Sequence, residues 1–345
     1  MSGYQRPEAG PGGLRLHLNE NTRGCSPQVL ARLRQLDATV ASIYPDYTAA
    51  IDRSAAWLRV ERDQILLTNG MDEGLFCATI LALRGRTDGE GIVVDPAFEV
   101  YEACVKALAG RVRHAAFLPD FVLDSSRVLE LVNDRTRIIF LNDPHNPSGA
   151  RIPPETIASI AAAVPDALVF VDEAYVEFAS GSFAVRAIGE FKNVLVGRTF
   201  AKAYGLAGLR IGALVGPSAL IAALRDIVPP FSLNSFAAEA LVASLDDHGY
   251  VDGYIEQSAQ SRAMIYDYCR SKGIPAFSSH ANFVLIRIGP NAPLVTAGLA
   301  ARGIFIRDRS DQPGCEGCVR ITAGFVEDTR QALAALEEVL CDARS

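Results

Sequence analysis

Lys202 stands in the run Arg198-Thr-Phe-Ala-Lys202-Ala-Tyr-Gly-Leu-Ala-Gly-Leu-Arg210-Ile-Gly212, just after a short apolar stretch, Asn193-Val-Leu-Val-Gly197. Most lysines sit on polar helix faces. One placed at a strand end, among small and apolar neighbours, is open to desolvation, and the neutral amine that results is a nucleophile able to form a Schiff base. Upstream, Val169-Phe-Val-Asp172-Glu-Ala-Tyr175 is an apolar run that ends abruptly in an acid. Burying that carboxylate is costly unless a cation meets it, and a protonated ring nitrogen is such a cation. An amine to hold an aldehyde and an acid to hold a ring nitrogen together meet the needs of pyridoxal 5'-phosphate. The plainer alternative for Asp172 is a helix cap or turn aspartate.

The rest of such a cofactor needs further partners. Its phosphate calls for backbone amides at a helix start and at least one cation. Thr68-Asn-Gly70-Met71-Asp72-Glu-Gly74 joins a strand to a helix there, with Thr199 and Arg210 as further contacts; Arg210 is otherwise a surface ion pair. Tyr175 can bond the ring hydroxyl, or be a half-buried aromatic. Asn146, set before Pro147 and so biased to extended backbone, can donate to the same oxygen, though Asn-Pro is also common turn punctuation. Phe98, in Asp95-Pro-Ala-Phe98, can stack on the ring or belong to the core. Arg320 ends a strand as a fork for a substrate carboxylate, and Arg307 can meet a second anionic group; either can instead be a structural ion pair.

Elements must hold these residues. Apolar runs at Ile65–Thr68, Gly91–Asp95, Arg137–Asn142, Leu168–Val171, Val194–Val196 and Ile211–Val215 alternate with helices through Leu75 to Leu83, about Phe98 to Ala109, and about Pro154 to Ala163. Continuous rather than alternating apolar strands imply an α/β fold, a mostly parallel central sheet covered by helices on both faces. Such sheets collect ligands at the carboxyl ends of their strands. A long helix is expected from about Phe236 to Ser271. Asn282–Ile288, Gly303–Ile306 and Cys318–Ile321 follow as a small sheet, closed by a helix from Glu327 to Leu340. The expected division is an N-terminal arm (1–35), a large domain (36–240) and a smaller α+β C-terminal domain (241–345), the boundary falling near 230–255.

Composition narrows the classes. The 345 residues are 49% hydrophobic and 21% charged, as in a folded globular protein, and the net charge of −7 argues against an extended nucleic-acid surface. No apolar run is long enough to span a bilayer, and Met1–Gly13 has no hydrophobic signal core, so it reads as a flexible lead-in. Seven scattered cysteines suggest reduced thiols and a cytoplasmic location. Cys315-Glu-Gly-Cys318 lacks a second pair or a following histidine, so no metal is expected. Gly-x-Gly-x-x-Gly, Gly-x-Ser-x-Gly and His-Glu-x-x-His motifs are absent.

Taken in order, Leu18-Asn-Glu-Asn21, Tyr44-Pro45-Asp46, Asn69–Gly74, Asn146-Pro-Ser-Gly149, Asp172–Tyr175, Lys202 with Gly205–Arg210, Ile306-Arg307-Asp308 and Val319-Arg320-Ile-Thr322 span nearly the whole chain. In this series the chain resembles the class I/II, fold type I, pyridoxal-phosphate aminotransferases, most closely the histidinol-phosphate aminotransferase group. The resemblance implies that Lys202 holds the cofactor and shuttles a proton, that Asp172 pairs with its ring nitrogen, and that Tyr175 and Asn146 bond its hydroxyl. It gives Phe98 to ring stacking, and Arg210, Thr199 and the Gly70-Met71-Asp72 turn to the phosphate. Tyr44 would reach the neighbouring active site of a homodimer. Arg320 would clamp the substrate carboxylate and Arg307 a substrate phosphate, with Asn21 and Arg23 bordering the substrate.

Three positions depart from the family pattern. Ala201 replaces a serine, a loss of about 1.5–3 kcal/mol that need not abolish binding. Phe98 stands where tyrosine is common. Thr22-Arg23 replaces a proline-aromatic pair, and Arg23 could favour an anionic substrate other than histidinol phosphate. The expected reaction is a two-step transamination between L-histidinol phosphate and 2-oxoglutarate. The alternatives are an aminotransferase for an aromatic or other phosphorylated or anionic amino substrate, and a lyase such as a threonine-phosphate decarboxylase.

Overall fold

The computed structural model describes residues 12–86 and 88–342; the expected lead-in at 1–13 lies outside them except for Gly12 and Gly13. The first elements are β1 (Leu14–Arg15), α1 (Pro27–Arg34), α2 (Ala38–Ser42) and α3 (Thr48–Leu58). An alternating stretch follows: β2 (Ile65–Thr68), α4 (Gly70–Leu83), β3 (Glu90–Asp95), α5 (Glu99–Ala107), β4 (Arg111–Ala116), α6 (Ser125–Leu129), β5 (Thr136–Asn142) and α7 (Pro154–Ala163). It continues through β6 (Leu168–Asp172), α8 (Ala184–Glu190), β7 (Val194–Thr199) and β8 (Gly212–Val215).

Seven of these strands form one sheet in the order β2-β8-β7-β6-β5-β3-β4. The neighbours β4, β3, β5, β6 and β7 run parallel, and β8 is antiparallel to both β7 and β2. The central strands were legible because they are covered on both faces: every residue of β6, β7 and β8 is buried. The edge strand β4 (Arg-Val-Arg-His-Ala-Ala) carries no such signal, since only Ala115 is buried, and it was not expected.

The second half holds α9 (Ser218–Arg225), α10 (Ser235–Asp246), α11 (His248–Lys272), β9 (Phe283–Arg287), α12 (Ala292–Ala301), β10 (Ile304–Phe305), β11 (Arg307–Asp308), β12 (Cys318–Thr322) and α13 (Val326–Asp342). The single helix expected over 236–271 is two, because Asp247 leaves the helical region (φ −107°, ψ 61°) between α10 and α11. The small sheet also differs. Its order is β11-β12-β9, all antiparallel, whereas the strand expected at Gly303–Ile306 pairs in parallel with β1.

Two main apolar cores result. One surrounds the large sheet and takes in Leu241 and Leu245 of α10 and Tyr254 of α11; the other joins Ile265 and Cys269 of α11 to β9, α12, β12 and α13. The boundary expected at 240/241 therefore falls inside α10, and the passage between cores lies within α11. The expected arm is also divided: Leu16 packs in the second core and Val29 in the first. The amino-terminal segment thus bridges the two halves.

Candidate active site

The carboxyl ends of β5, β6 and β7 open toward this bridging segment. Asp172, the last residue of β6, is 3% exposed. Its Oδ2 accepts from Tyr101 Oη at 2.5 Å and its Oδ1 from the Ala174 amide at 3.0 Å. Burial pushes its carboxyl up to about 6, against the pull of those hydrogen bonds and of the nearby Lys202 charge. Among the described residues no basic side chain bonds it. Across the sheet, Asn142 Nδ2 donates to the Asp172 carbonyl at 3.0 Å, while Asn142 Oδ1 accepts from the Asn146 amide at 2.7 Å.

One strand over, Thr199 ends β7 and its Oγ1 accepts from the Ala201 amide at 3.2 Å. The turn then presents Lys202, whose Nζ donates to the Leu18 carbonyl at 3.0 Å and lies 5.7 Å from the centre of the Tyr175 ring. Tyr175 is buried, edge-on to Phe283, and its hydroxyl accepts from Asn19 Nδ2 at 3.1 Å. Asn19 is fixed in turn: its backbone is left-handed (φ 56°), its amide and Oδ1 meet Thr322 Oγ1, and its carbonyl accepts from Asn282.

A second group is built on β11 and β12, where Arg307 and Arg320 are register partners. Arg320 is 3% exposed, 5.1 Å over the Phe283 ring; its Nη1 donates to Asn146 Oδ1 and its Nη2 to the His17 carbonyl at 2.7 Å. Neither acceptor is charged. Burial, with Arg309 and Arg307 nearby, pulls this guanidinium down to about 9. Because Asn146 Oδ1 faces Arg320, its Nδ2 is the atom left to donate into the site.

A third group gathers at the start of α4. Gly70 has φ 77°, and a Cβ there would lie 2.6 Å from Arg210 Nη2. Gly212 is as tightly placed, since its Cβ would come within 2.7 Å of the Gly70–Met71 backbone. Met71 is buried, while Asp72 is exposed and pairs with Arg210 at 2.7 Å. The surface ion pair considered for Arg210 is therefore present, and it lies over the amides of the α4 amino terminus. Phe98 is half-buried and edge-on to Tyr101, ring centres 5.8 Å apart.

Three expected residues sit elsewhere. Asn21 Nδ2 donates to the Ala203 carbonyl and its Oδ1 accepts from the Arg23 amide, so it fastens the segment to the lysine turn. It also borders a cleft of about 310 Å³ with Arg15, Glu20, Ala201 and Gly205. Arg23 lies 3.6 Å from Asp328 and 3.8 Å from Glu327, with its guanidinium over Phe325. Both acids lie at the start of α13, so the Arg23 charge expected near an anionic substrate is partly met from within the chain. Tyr44 is 77% exposed and stacks on Phe231, which is also exposed.

Two site residues were not singled out from sequence. Tyr101 lies one turn beyond Phe98 on the apolar side of α5, with Cys104 and Val105, and that helical spacing was the available signal. Asn19 lies within the Leu18–Asn21 motif, but in an irregular segment nothing told which asparagine faces inward.

Comparison with known proteins agrees with this geometry. The family pattern described as aminotransferase class I and II matches residues 11–336. A histidinol-phosphate aminotransferase of Halorubrum lacusprofundi is 36% identical, covering 95% of this chain and 89% of that relative. One from Halalkalibacterium halodurans is 33% identical over the same shares. The crystal structure of histidinol-phosphate aminotransferase from Sinorhizobium meliloti, in complex with pyridoxal-5'-phosphate, superposes with a TM-score of 0.87 at 27% identity. It covers 96% of this chain and 91% of that one.

Proposed function

The chain belongs to the class I and II aminotransferases, pyridoxal-phosphate enzymes of fold type I, and within that family we propose that it transfers the amino group of L-histidinol phosphate to 2-oxoglutarate. The observation that carries the site assignment is Asp172: a fully buried acid, pushed up to about 6, with no cation bonded to it. A protonated ring nitrogen is the partner it lacks. The rest of the site fits the same group. The α4 amino terminus and Arg210 would hold its phosphate, Phe98 would stack on its ring, and Tyr175 and Asn146 Nδ2 would reach its hydroxyl. Lys202 would carry it.

When bound, the cofactor supplies an aldehyde that condenses with amines and a ring that takes up the electron pair left at the substrate Cα. The chain's own residues do the rest. Asp172 keeps the ring nitrogen protonated, and Tyr101 and Ala174 fix the orientation of that carboxylate. Lys202 Nζ would take the proton from the substrate Cα and return it at the cofactor carbon that carried the aldehyde. Its hold on the Leu18 carbonyl sets the direction of the amine. In the second half-reaction the 2-oxo acid takes the same place and the proton moves back. Arg320 would grip one anionic group of either substrate, and Arg307, its register partner, the other.

The substrate follows from the relatives' names and from this pair of arginines, which suits a phosphorylated amine and a dicarboxylate alike. A homodimer is part of the proposal: Tyr44, Phe231 and Ile43 leave an exposed apolar patch suited to a second copy, with Tyr44 entering that copy's site. A cytoplasmic location is supported by seven cysteines that are all free. Among the described residues no helix is long and apolar enough to cross a membrane.

The test is a spectral titration of purified enzyme with histidinol phosphate, aromatic amino acids and other phosphorylated amines. Histidinol phosphate should discharge the visible absorbance, and 2-oxoglutarate should restore it. If another amine did so while histidinol phosphate did not, the substrate would be wrong and the reaction class would stand. Release of carbon dioxide without need of a 2-oxo acid would instead identify a lyase.

A further inference from the structure

His145 is not among the groups that would meet cofactor or substrate, yet both of its ring nitrogens are committed. It is 1% exposed, with Nε2 2.7 Å from the Pro96 carbonyl and Nδ1 2.7 Å from Ser148 Oγ. A carbonyl only accepts, so Nε2 carries the ring proton and Nδ1 accepts from the Ser148 hydroxyl. Phe117 and Phe121 pack on the ring, with centres 4.3 and 5.7 Å away. Burial holds the imidazole down to about 4, the Arg309 charge acting the same way and the Pro96 carbonyl against it, so the ring is neutral at pH 7.

These two bonds join two loops at the carboxyl ends of neighbouring strands. The ladder between β3 and β5 has Val93–Phe140 as its last pair. Past it, the chain leaving β3 runs through Pro96 to Phe98, and the chain leaving β5 runs to Asn146. The Asn146 turn is held by its own bonds: the His145 amide donates to the Ala150 carbonyl at 2.8 Å, the Gly149 amide to the His145 carbonyl at 2.6 Å, and the Asn146 amide to Asn142 Oδ1 at 2.7 Å. The segment before Phe98 is tied sideways instead, by the buried His145 bond two residues ahead of it. Just beyond Phe98, Glu99 meets Arg309 at 3.2 Å, but its side chain is 38% exposed, and a half-wet ion pair holds less firmly than a buried hydrogen bond. We infer that His145 is a positioning residue: its Nε2–H, braced by the Ser148 hydroxyl, grips the Pro96 carbonyl and so sets where the Phe98 ring stands relative to the Asn146 amide. The inference rests on the cofactor contacts proposed above for Phe98 and Asn146.

Binding of pyridoxal 5'-phosphate to cofactor-free protein can be followed by fluorescence titration, with circular dichroism of the visible band reporting the tilt of the bound ring. His145→Phe keeps an aromatic ring but no donor, and His145→Gln keeps an N–H. The expected result is about tenfold weaker binding and an altered band in His145→Phe, both largely recovered in His145→Gln. With Phe98→Leu already in place, His145→Phe should weaken binding by less than about twofold, because the ring it positions is gone. A full tenfold loss in that background would make His145 merely structural and overturn the inference, as would no loss in either background. So would nitrogen-15 shifts of the wild-type ring that put its proton on Nδ1, since the Pro96 bond could not then form; that measurement is open even if the phenylalanine variant fails to fold. Wild-type protein that bound no pyridoxal phosphate would sink the function proposed above together with this inference. Tight wild-type binding with independent effects at His145 and Phe98 would sink this inference alone.

Discussion

Two buried arginines, Arg198 and Arg320, mark two unlike regions of this molecule, one neutralised from within and one whose bonded partners are uncharged. Arg198, in β7, lies 3.4 Å from Glu173 and 2.6 Å from Glu177, all three nearly inaccessible. Burial alone would lower its affinity for a proton, but the two glutamates more than offset that and hold it charged. Glu173 is further bonded by Ser182 and the Phe183 amide. Arg320 is as deeply buried, yet its bonded partners are an amide oxygen and a carbonyl, and it is pulled down to about 9. Asp172 shows the same condition with the opposite sign. Residue type and burial do not distinguish the two regions. The presence of a counter-charge does.

The sharpest break in the comparison comes from the ligand-facing side. Lys202→Ala should lower turnover by about 10⁴-fold, the scale of a lost proton-transfer group, and abolish the visible absorbance, while the thermal midpoint of cofactor-free protein barely changes. A large drop in that midpoint would show Lys202 to be structural. Arg198→Met should do the reverse. It strands two buried glutamates and should cost about 3–5 kcal/mol of stability in denaturant titrations, with KM for the amino donor nearly unchanged. A change in KM without loss of stability would erase the distinction between the two arginines.

The smallest of the three effects is a pH dependence. The folded pKa of Asp172 lies near 6, above its ordinary value of 3.8. In that window the folded state holds the proton more tightly than the unfolded chain. The share that Asp172 contributes to the stability of cofactor-free protein should therefore fall by on the order of 3 kcal/mol as pH rises from about 4 to 6. His17 and His145 act oppositely, since both are held down to about 4 and favour the fold above about 6.5. Asp172→Asn isolates the acid's share: the stability of the wild type relative to this variant should fall between about pH 4 and 6, and a difference that does not change with pH would remove Asp172 as its source.

How much of this was readable in the chain depends on how local each signal is. β6 announced itself because five consecutive residues are buried and the last is an acid. The same logic exposed Thr199 and Lys202 after β7. Tyr101 was hidden because its partner Asp172 lies 71 residues away and a tyrosine on an apolar helix face looks like core. The break at Asp247 was hidden because apolar residues at helical spacing flank it, Leu241 and Leu245 before it and Val251 and Tyr254 after it. The pairing of β1 with β10 had no local mark at all, since each strand is two residues long. The contacts of Asn21 and Arg23 with Ala203 and α13 were not legible, because an irregular segment lacks the periodicity that says which side faces in.

The bridge made by Leu14–Asn21 has a consequence for biosynthesis. Asn19 bonds Thr322 across 303 residues of chain. At typical rates of about 5–20 residues per second, the ribosome needs about 15–60 s to deliver the second partner after the first. The lysine turn, Tyr175 and the first arginine contact therefore stay unfinished through most of translation. A transcript cut short before β12 would yield a chain whose large sheet can form but which lacks Arg320 and the Thr322 anchor of Asn19, and such a fragment is a natural client for chaperones.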